Sequence, residues 1–256
     1  MDKITPLNIL IAEDNKMNQF MIKELLEMDG HNITIAEDGR KVIDLWQNGD
    51  YDLILMDLQM PAMSGFEATV QIRRMEKSSG DHIPIIALSA YSEKDKLREC
   101  KAAGMDDFIN KAFETDELME KIENLLSDRE DKEIEGKSRE DNGYSTGKIE
   151  DLFNLNKIPH LRHNTEKMKQ YVQLFFEGMN FEISKIEKAI EENTPEEIGI
   201  AVHSIKSMCW YLHKEEITRI TSEIECITSE DSIKGVLEKF SQLKEHFEDL
   251  KRDKWL

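Results

Sequence analysis

The sequence predicts two dissimilar folds in one chain: an α/β domain with a helix-covered parallel sheet, then an all-α up-down helical bundle. Three observations predict it. Short apolar runs alternate with amphipathic stretches five times in the first half, the pattern of strand–helix repeats that build a parallel sheet. A segment of charge, glycine and serine follows, too poor in large apolar residues to order itself. Beyond about residue 151 no strand pattern recurs, and long helical periodicities take over.

The first apolar run is Asn8–Ala12, followed by the amphipathic stretch Met17–Met28. Ile33–Ala36 precedes Arg40–Gln47, and Leu53–Met56 precedes Phe66–Met75. Ile83–Leu88 leads to Lys94–Ala103, and Phe108–Ile109 to Thr115–Leu126. Leu53–Met56 and Ile83–Leu88 are apolar on both faces, which suits strands covered from both sides. Asp38-Gly39, Ser64-Gly65 and Gly104 supply the turns. The domain is expected to span residues 1–127, and residues 128–150 read as a flexible charged linker. A charged extension of the preceding helix for a turn or two is the alternative at the linker's start.

Residues 151–256 read as a four-helix bundle. Thr165–Ile190 is predicted to be a long amphipathic helix with Met168, Val172, Phe175, Phe176, Met179, Ile183, Ile186 and Ile190 on its stripe. Thr194-Pro195-Glu196-Glu197 supplies an N-cap, a proline at the first helical position and a capping-box acid. Further helices are predicted at about Lys214–Ile227 and Ile233–Lys251.

Composition limits the function classes. At 256 residues the chain suits two ordinary domains, and 39% hydrophobic residues suffice for a core in each. A net charge of −19 argues against a nucleic-acid partner, since phosphate binding needs a basic footprint. No run of about 18 apolar residues exists, so no membrane insertion is expected, and the polar start does not read as a signal peptide. Cys100, Cys209 and Cys226 are scattered and lack metal-ligand spacing, which fits reduced thiols of a cytoplasmic protein.

The polar residues of the first half gather at strand ends. Glu13 and Asp14 follow the first apolar run, Asp57 ends the third, Ser89 the fourth and Lys111 the fifth. In an open parallel sheet these positions share the carboxyl edge, where such folds bind ligands. Three carboxylates there would repel one another without a cation, and the hard-oxygen set suits Mg²⁺ together with a phosphate. Lys111 and the Ser89 hydroxyl could hold phosphoryl oxygens while Asp57 acts as nucleophile. Singly, each residue has an ordinary explanation as loop, cap or solvated surface; their joint placement carries the reading.

The stretches ILIAEDNKMNQ, DLILMDLQMPAMSG, IIALSA and GMDDFINKAF closely resemble the receiver domains of response regulators and hybrid histidine kinases over roughly residues 6–127. The resemblance implies a flavodoxin-like, doubly wound five-stranded parallel sheet of order 2-1-3-4-5. It makes Glu13 and Asp14 the acidic metal pair and Asp57 the phosphorylated aspartate. It also makes Gln59 the residue whose carbonyl completes the metal shell, Ser89 and Phe108 the switch pair, and Lys111 the active-site lysine. The family usually has proline after that lysine, in a cis bond that Ala112 would adopt at several times the cost. The implied partner is an upstream sensor histidine kinase.

A second site is expected on the helix containing TPEEIGIAVHSIKSMCWYLH. Its apolar stripe runs Ile198, Ala201, Val202, Ile205, Met208, Cys209 and Leu212, placing His203 on the opposite, solvent-facing side. Gly199 lies one turn before His203 and Ser207 one turn after it, small neighbours that leave the imidazole open. Lys206 can place positive charge beside it. His31, His82, His160, His163 and His246 read as solvated or loop histidines. The pattern resembles the H-x-x-K-G signature of histidine phosphotransfer (HPt) domains, with Ser207 in place of glycine, a bulky Trp210 on the same face, and His213 for a usual glycine. The resemblance implies that His203 relays phosphoryl groups between receiver aspartates, with another receiver domain or response regulator as partner.

No ATP-binding signature is found, so the chain is expected to carry phosphoryl groups rather than make them from ATP. A linker of about 24 residues spans roughly 25–30 Å, so exchange between Asp57 and His203 within one chain is feasible. Two alternatives stand beside the relay: a receiver switch joined to a protein-binding module that carries no phosphate, and a piece of a larger hybrid sensor kinase.

Overall fold

The computed structural model describes residues 5–89, 93–111, 113, 115–127, 152–154, 158, 161, 164–209, 211–212, 215–228 and 233–252. The expected linker 128–150 and Ala112, His160, His163, Trp210 and His213 lie outside the described residues. The chain divides into two compact units, one of residues 1–14 and 22–143 and the other of residues 15–21 and 144–256.

The first unit is built on β1 (Asn8–Ala12), β2 (Asn32–Ala36), β3 (Leu53–Asp57), β4 (Ile85–Ser89) and β5 (Asp107–Asn110). All pairs are parallel and the order is β2-β1-β3-β4-β5. The period-two alternation of side chains makes two cores from one sheet. Ile9, Ile11, Leu53, Leu55, Ile86 and Leu88 point to one face, against Leu25 of α1 (Lys16–Met28) and Leu118 and Ile122 of α5 (Thr115–Ser127). Leu10, Ala12, Ile54, Met56, Ile85 and Ala87 point to the other. There they meet Val42 of α2 (Gly39–Asn48), Ala68 and Ile72 of α3 (Gly65–Ser79) and Cys100 of α4 (Glu93–Ala103). This is the doubly wound fold that the alternation of short apolar runs and amphipathic stretches implies.

The expected turn residues act as caps. Asp38 accepts from Lys41 N at 2.8 Å to start α2, and Ser64 and Glu67 form a reciprocal capping box at α3. Gly104 closes α4 at φ +97°, a conformation favourable only without a Cβ. Two boundaries of this unit differ from expectation by two residues or more. β4 begins at Ile85 because Ile83 donates its N–H to Glu76 Oε1 instead of to a strand, and Pro84 has none to give. α3 runs on to Ser79, beyond its apolar periodicity, since Gly80 caps it at φ +82° and Arg73 pairs with Glu76 along its last turns.

The second unit contains α6 (Thr165–Glu192), α7 (Pro195–Cys209), α8 (Glu215–Thr228) and α9 (Ile233–Arg252). Each helix packs on its sequence neighbour, and α9 closes back onto α6. Short connections force this antiparallel order. The α6–α7 turn needs only Asn193, left-handed at φ 57°, and Thr194 before Pro195 opens the next helix. On α7 the stripe Ile198, Ala201, Val202, Ile205, Met208 and Cys209 is almost fully buried. Phe153 lies 4.9 Å from the Tyr171 ring and edge-on to Phe175 at 5.5 Å, anchoring the segment before α6 to the bundle core.

Candidate functional site

The carboxyl edge of the sheet gathers the ionisable residues. Asp57 is the last residue of β3 and Ser89 the last of β4, while Lys111 directly follows β5 and Glu13 follows β1. Because β1, β3, β4 and β5 are parallel, these ends stand side by side. The Lys111 ammonium lies 2.6 Å from Asp57 Oδ2 and 2.7 Å from Glu13 Oε2. The other Asp57 oxygen, Oδ1, accepts the Gln59 backbone N–H at 3.1 Å. Asp57, Glu13, Ser89 and Lys111 are all buried.

The loop after β3 holds this aspartate from behind. Gly65 N donates to Leu58 O at 3.1 Å, and a Cβ on Gly65 would stand 2.1 Å from the Asp57 carbonyl oxygen. Only glycine lets α3 start so close to the strand end. Phe108, on β5, is buried in the sheet core.

Burial and charge compete at this edge. Burial pushes the Asp57 carboxyl up to about 7, opposed by the Lys111 ammonium and reinforced by Glu13 and Asp14. For Lys111, burial would lower the ammonium, yet the Asp57 and Glu13 carboxylates outweigh it and hold the lysine above its ordinary value. One carboxylate oxygen each from Glu13, Asp14 and Asp57 lies within 4.8 Å of the others. Such close hard oxygens fit a small divalent cation, which would offset the repulsion that Lys111 alone leaves partly uncompensated.

In the helical unit, His203, Ser204 and Ser207 of α7 are buried, Lys206 and Gly199 partly so. The expectation of a solvent-facing imidazole is corrected: His203 is 6% exposed. An amphipathic stripe reports which side of a helix faces its own core, not what another element lays over the opposite side. Part of that cover is Glu225 of α8, whose Oε1 lies 3.4 Å from His203 Nδ1. Its Oε2 accepts from Lys206 Nζ at 2.9 Å. Ser207 donates to the Ser204 carbonyl at 2.8 Å. Glu225, 22 residues from the histidine, carries no local signal; only the pairing of α7 with α8 brings it in. On the opposite helix, Glu182 of α6 is buried, which pushes its carboxyl up against the pull of Lys185 and Ser204.

Residues 9–123 match the response regulator receiver domain family. Hybrid signal transduction histidine kinase I of Dictyostelium discoideum is 43% identical over 125 residues, which is 47% of this chain and 7% of that protein. An osmosensing histidine protein kinase of Saccharomyces cerevisiae is 38% identical over 120 residues, 44% of this chain and 10% of that protein. The chain thus spans a small part of the curated relatives it matches. Among solved structures, the receiver domain of a sensor histidine kinase from Pseudomonas aeruginosa, with magnesium in its active-site cleft, shares 33% identity. It covers 48% of this chain and 99% of that one at a TM-score of 0.44.

Proposed function

We propose that this chain, whose residues 9–123 are a response regulator receiver domain of two-component signalling, is a phosphorelay intermediate with acceptor sites at Asp57 and His203. The observation that carries the first site is the buried Asp57 carboxylate between Lys111 at 2.6 Å and the carboxylates of Glu13 and Asp14. Glu13, Asp14, Asp57 and the Gln59 carbonyl would hold Mg²⁺, which supplies charge neutralisation for a phosphoryl group.

Asp57 attacks the phosphorus of a kinase phosphohistidine, the P–N bond breaks and the imidazole leaves. Lys111, already paired with Asp57, is placed to bind a phosphoryl oxygen once the carboxylate is esterified, and the Ser89 hydroxyl can donate to another. Catalysis is then positioning and charge stabilisation rather than proton transfer.

For the helical half, residues 151–256, an HPt role for His203 is supported by Lys206 three residues on and by the small Ser207 one turn away. A second reading has the bundle bind a partner without carrying phosphate, with His203 held in an interhelical pairing to Glu225.

Radiolabel transfer from a phosphorylated histidine kinase separates the two. Alkali-labile label lost in Asp57→Ala is expected for the receiver. Alkali-stable, acid-labile label lost in His203→Ala is expected for the bundle. Label confined to Asp57, with several receiver partners offered, would leave only the receiver switch joined to a binding module.

A further inference from the structure

We propose that a groove at the amino edge of the receiver sheet binds a linear aliphatic polyamine. The cavity holds about 820 Å³, within the range of small-molecule sites. It lies where β3 and β4 begin: Tyr51 and Asp52 precede Leu53, and His82, Ile83 and Pro84 precede Ile85. Asp57 stands at the other end of β3, roughly 20 Å from Tyr51 at about 3.3 Å per residue. The groove is therefore separate from the carboxyl edge and its cation.

Aromatic and acidic side chains line it together. Trp46 of α2, Tyr51 and Met75 of α3 are half-buried and give the groove apolar surface. A Cβ on Gly49 would stand 2.5 Å from the Tyr51 ring, so the glycine lets that ring lie close over the α2–β3 turn. Gln47 Nε2 donates to Met75 Sδ at 3.0 Å, which ties the two helices together at the cavity. Carboxylates come from two connections: Asp50 and Asp52 from α2–β3, Glu76 and Asp81 from the end of α3 and the run to β4. The fold fixes two of them, since Asp52 accepts the Asn8 N–H and the buried Glu76 that of Ile83, each at 2.7 Å. Arg73, 2.7 Å from Glu76, offsets part of that charge, but neither lysine nor arginine lines the groove among the described residues. This lining suits an organic cation. Ammonium groups are drawn to ring faces and methylene stems bury against them, whereas a hydrated metal ion gains nothing from either. Acids on two separate connections around one apolar lining select a chain with several ammonium centres over a single cation.

The test titrates the full chain with spermidine by calorimetry, in excess MgCl₂ and at about 0.15 M NaCl, where general attraction is screened beyond about 8 Å. One saturable site is expected, with butylamine, a single ammonium, binding far more weakly. Asp50→Asn combined with Asp81→Asn, both exposed, is expected to weaken spermidine about tenfold. Tyr51→Leu, which keeps an apolar side chain without the ring face, should weaken it about threefold. Glu117→Gln with Glu120→Gln removes the same charge from exposed positions of α5, on the other face of the sheet, and should leave binding unchanged. Amide NMR shifts are expected at Gly49, Tyr51 and Asp81. Heat that never saturates, or equal weakening by both pairs of substitutions, would reduce the effect to general attraction to an acidic protein and overturn the proposal. Shifts confined to the amides of Glu13, Asp14 and Asp57 would overturn it as well, since the polyamine would then occupy the carboxyl edge.

Discussion

At the scale of single residues, Asp57 and His31 give opposite pH signatures. The folded Asp57 carboxyl titrates at about 7, pushed up by burial, so between about pH 4 and that value the folded state holds a proton the unfolded chain has released. Stability is therefore lost as pH rises through this window. In EDTA, melting of the receiver is expected to fall by roughly 5–10 °C between pH 5 and pH 8, and Asp57→Asn should flatten that slope. His31 runs the other way. Burial lowers its imidazole, and Nδ1 accepts the Leu7 N–H at 3.3 Å, a bond that protonation removes. Its contribution is present above about pH 6.5 and lost as pH falls below it. His31→Gln should make melting less sensitive to acid between pH 7 and pH 5, by thermal denaturation.

At the scale of elements, the start of α3 and the crossing of α6 over α7 use glycine for different ends. Gly65→Ala puts a methyl 2.1 Å from the Asp57 carbonyl, a backbone atom that cannot swing aside. A loss of about 3 kcal/mol is expected by urea denaturation, with slower Asp57 phosphorylation because the strand end must shift. Gly178→Ala meets only the Met208 sulfur, at 2.7 Å, the far end of a flexible side chain. Since alanine gains up to about 1 kcal/mol over glycine inside a helix, that change is expected to be close to neutral. Ser64→Ala removes half of the capping box and should cost about 1 kcal/mol. The ordering of the three, G65A far worse than S64A and G178A near zero, is the checkable outcome.

At the scale of the molecule, the net charge of −19 sets the behaviour toward salt. Like charges spread over an acidic surface repel within a Debye length, which shrinks from about 30 Å at 0.01 M salt to about 8 Å at 0.15 M. Raising NaCl from 0.02 to 0.3 M is therefore expected to raise melting temperature by about 2–5 °C, without a change in secondary structure by circular dichroism. Among the described residues no helix is long and apolar enough to cross a membrane.

Much of this was legible from residue order alone. The doubly wound sheet follows from apolar runs of strand length between amphipathic helices, because buried parallel strands must be apolar on both faces. The strand-end placement of Glu13, Asp57, Ser89 and Lys111 follows too, since a parallel sheet has one carboxyl edge and connectivity sends every strand to it. Helix ends were readable where local chemistry sets them, as at Asp38, Ser64 and Pro195, and not where a distant partner does, as with Glu76 and Arg73 at the end of α3. Only tertiary structure decided how close Lys111 comes to Asp57, how far burial lifts that carboxyl, and which carboxylate reaches His203. These are long-range quantities: a distance, a dielectric environment and a contact between residues 22 apart on neighbouring helices depend on packing, which no local pattern of residues encodes.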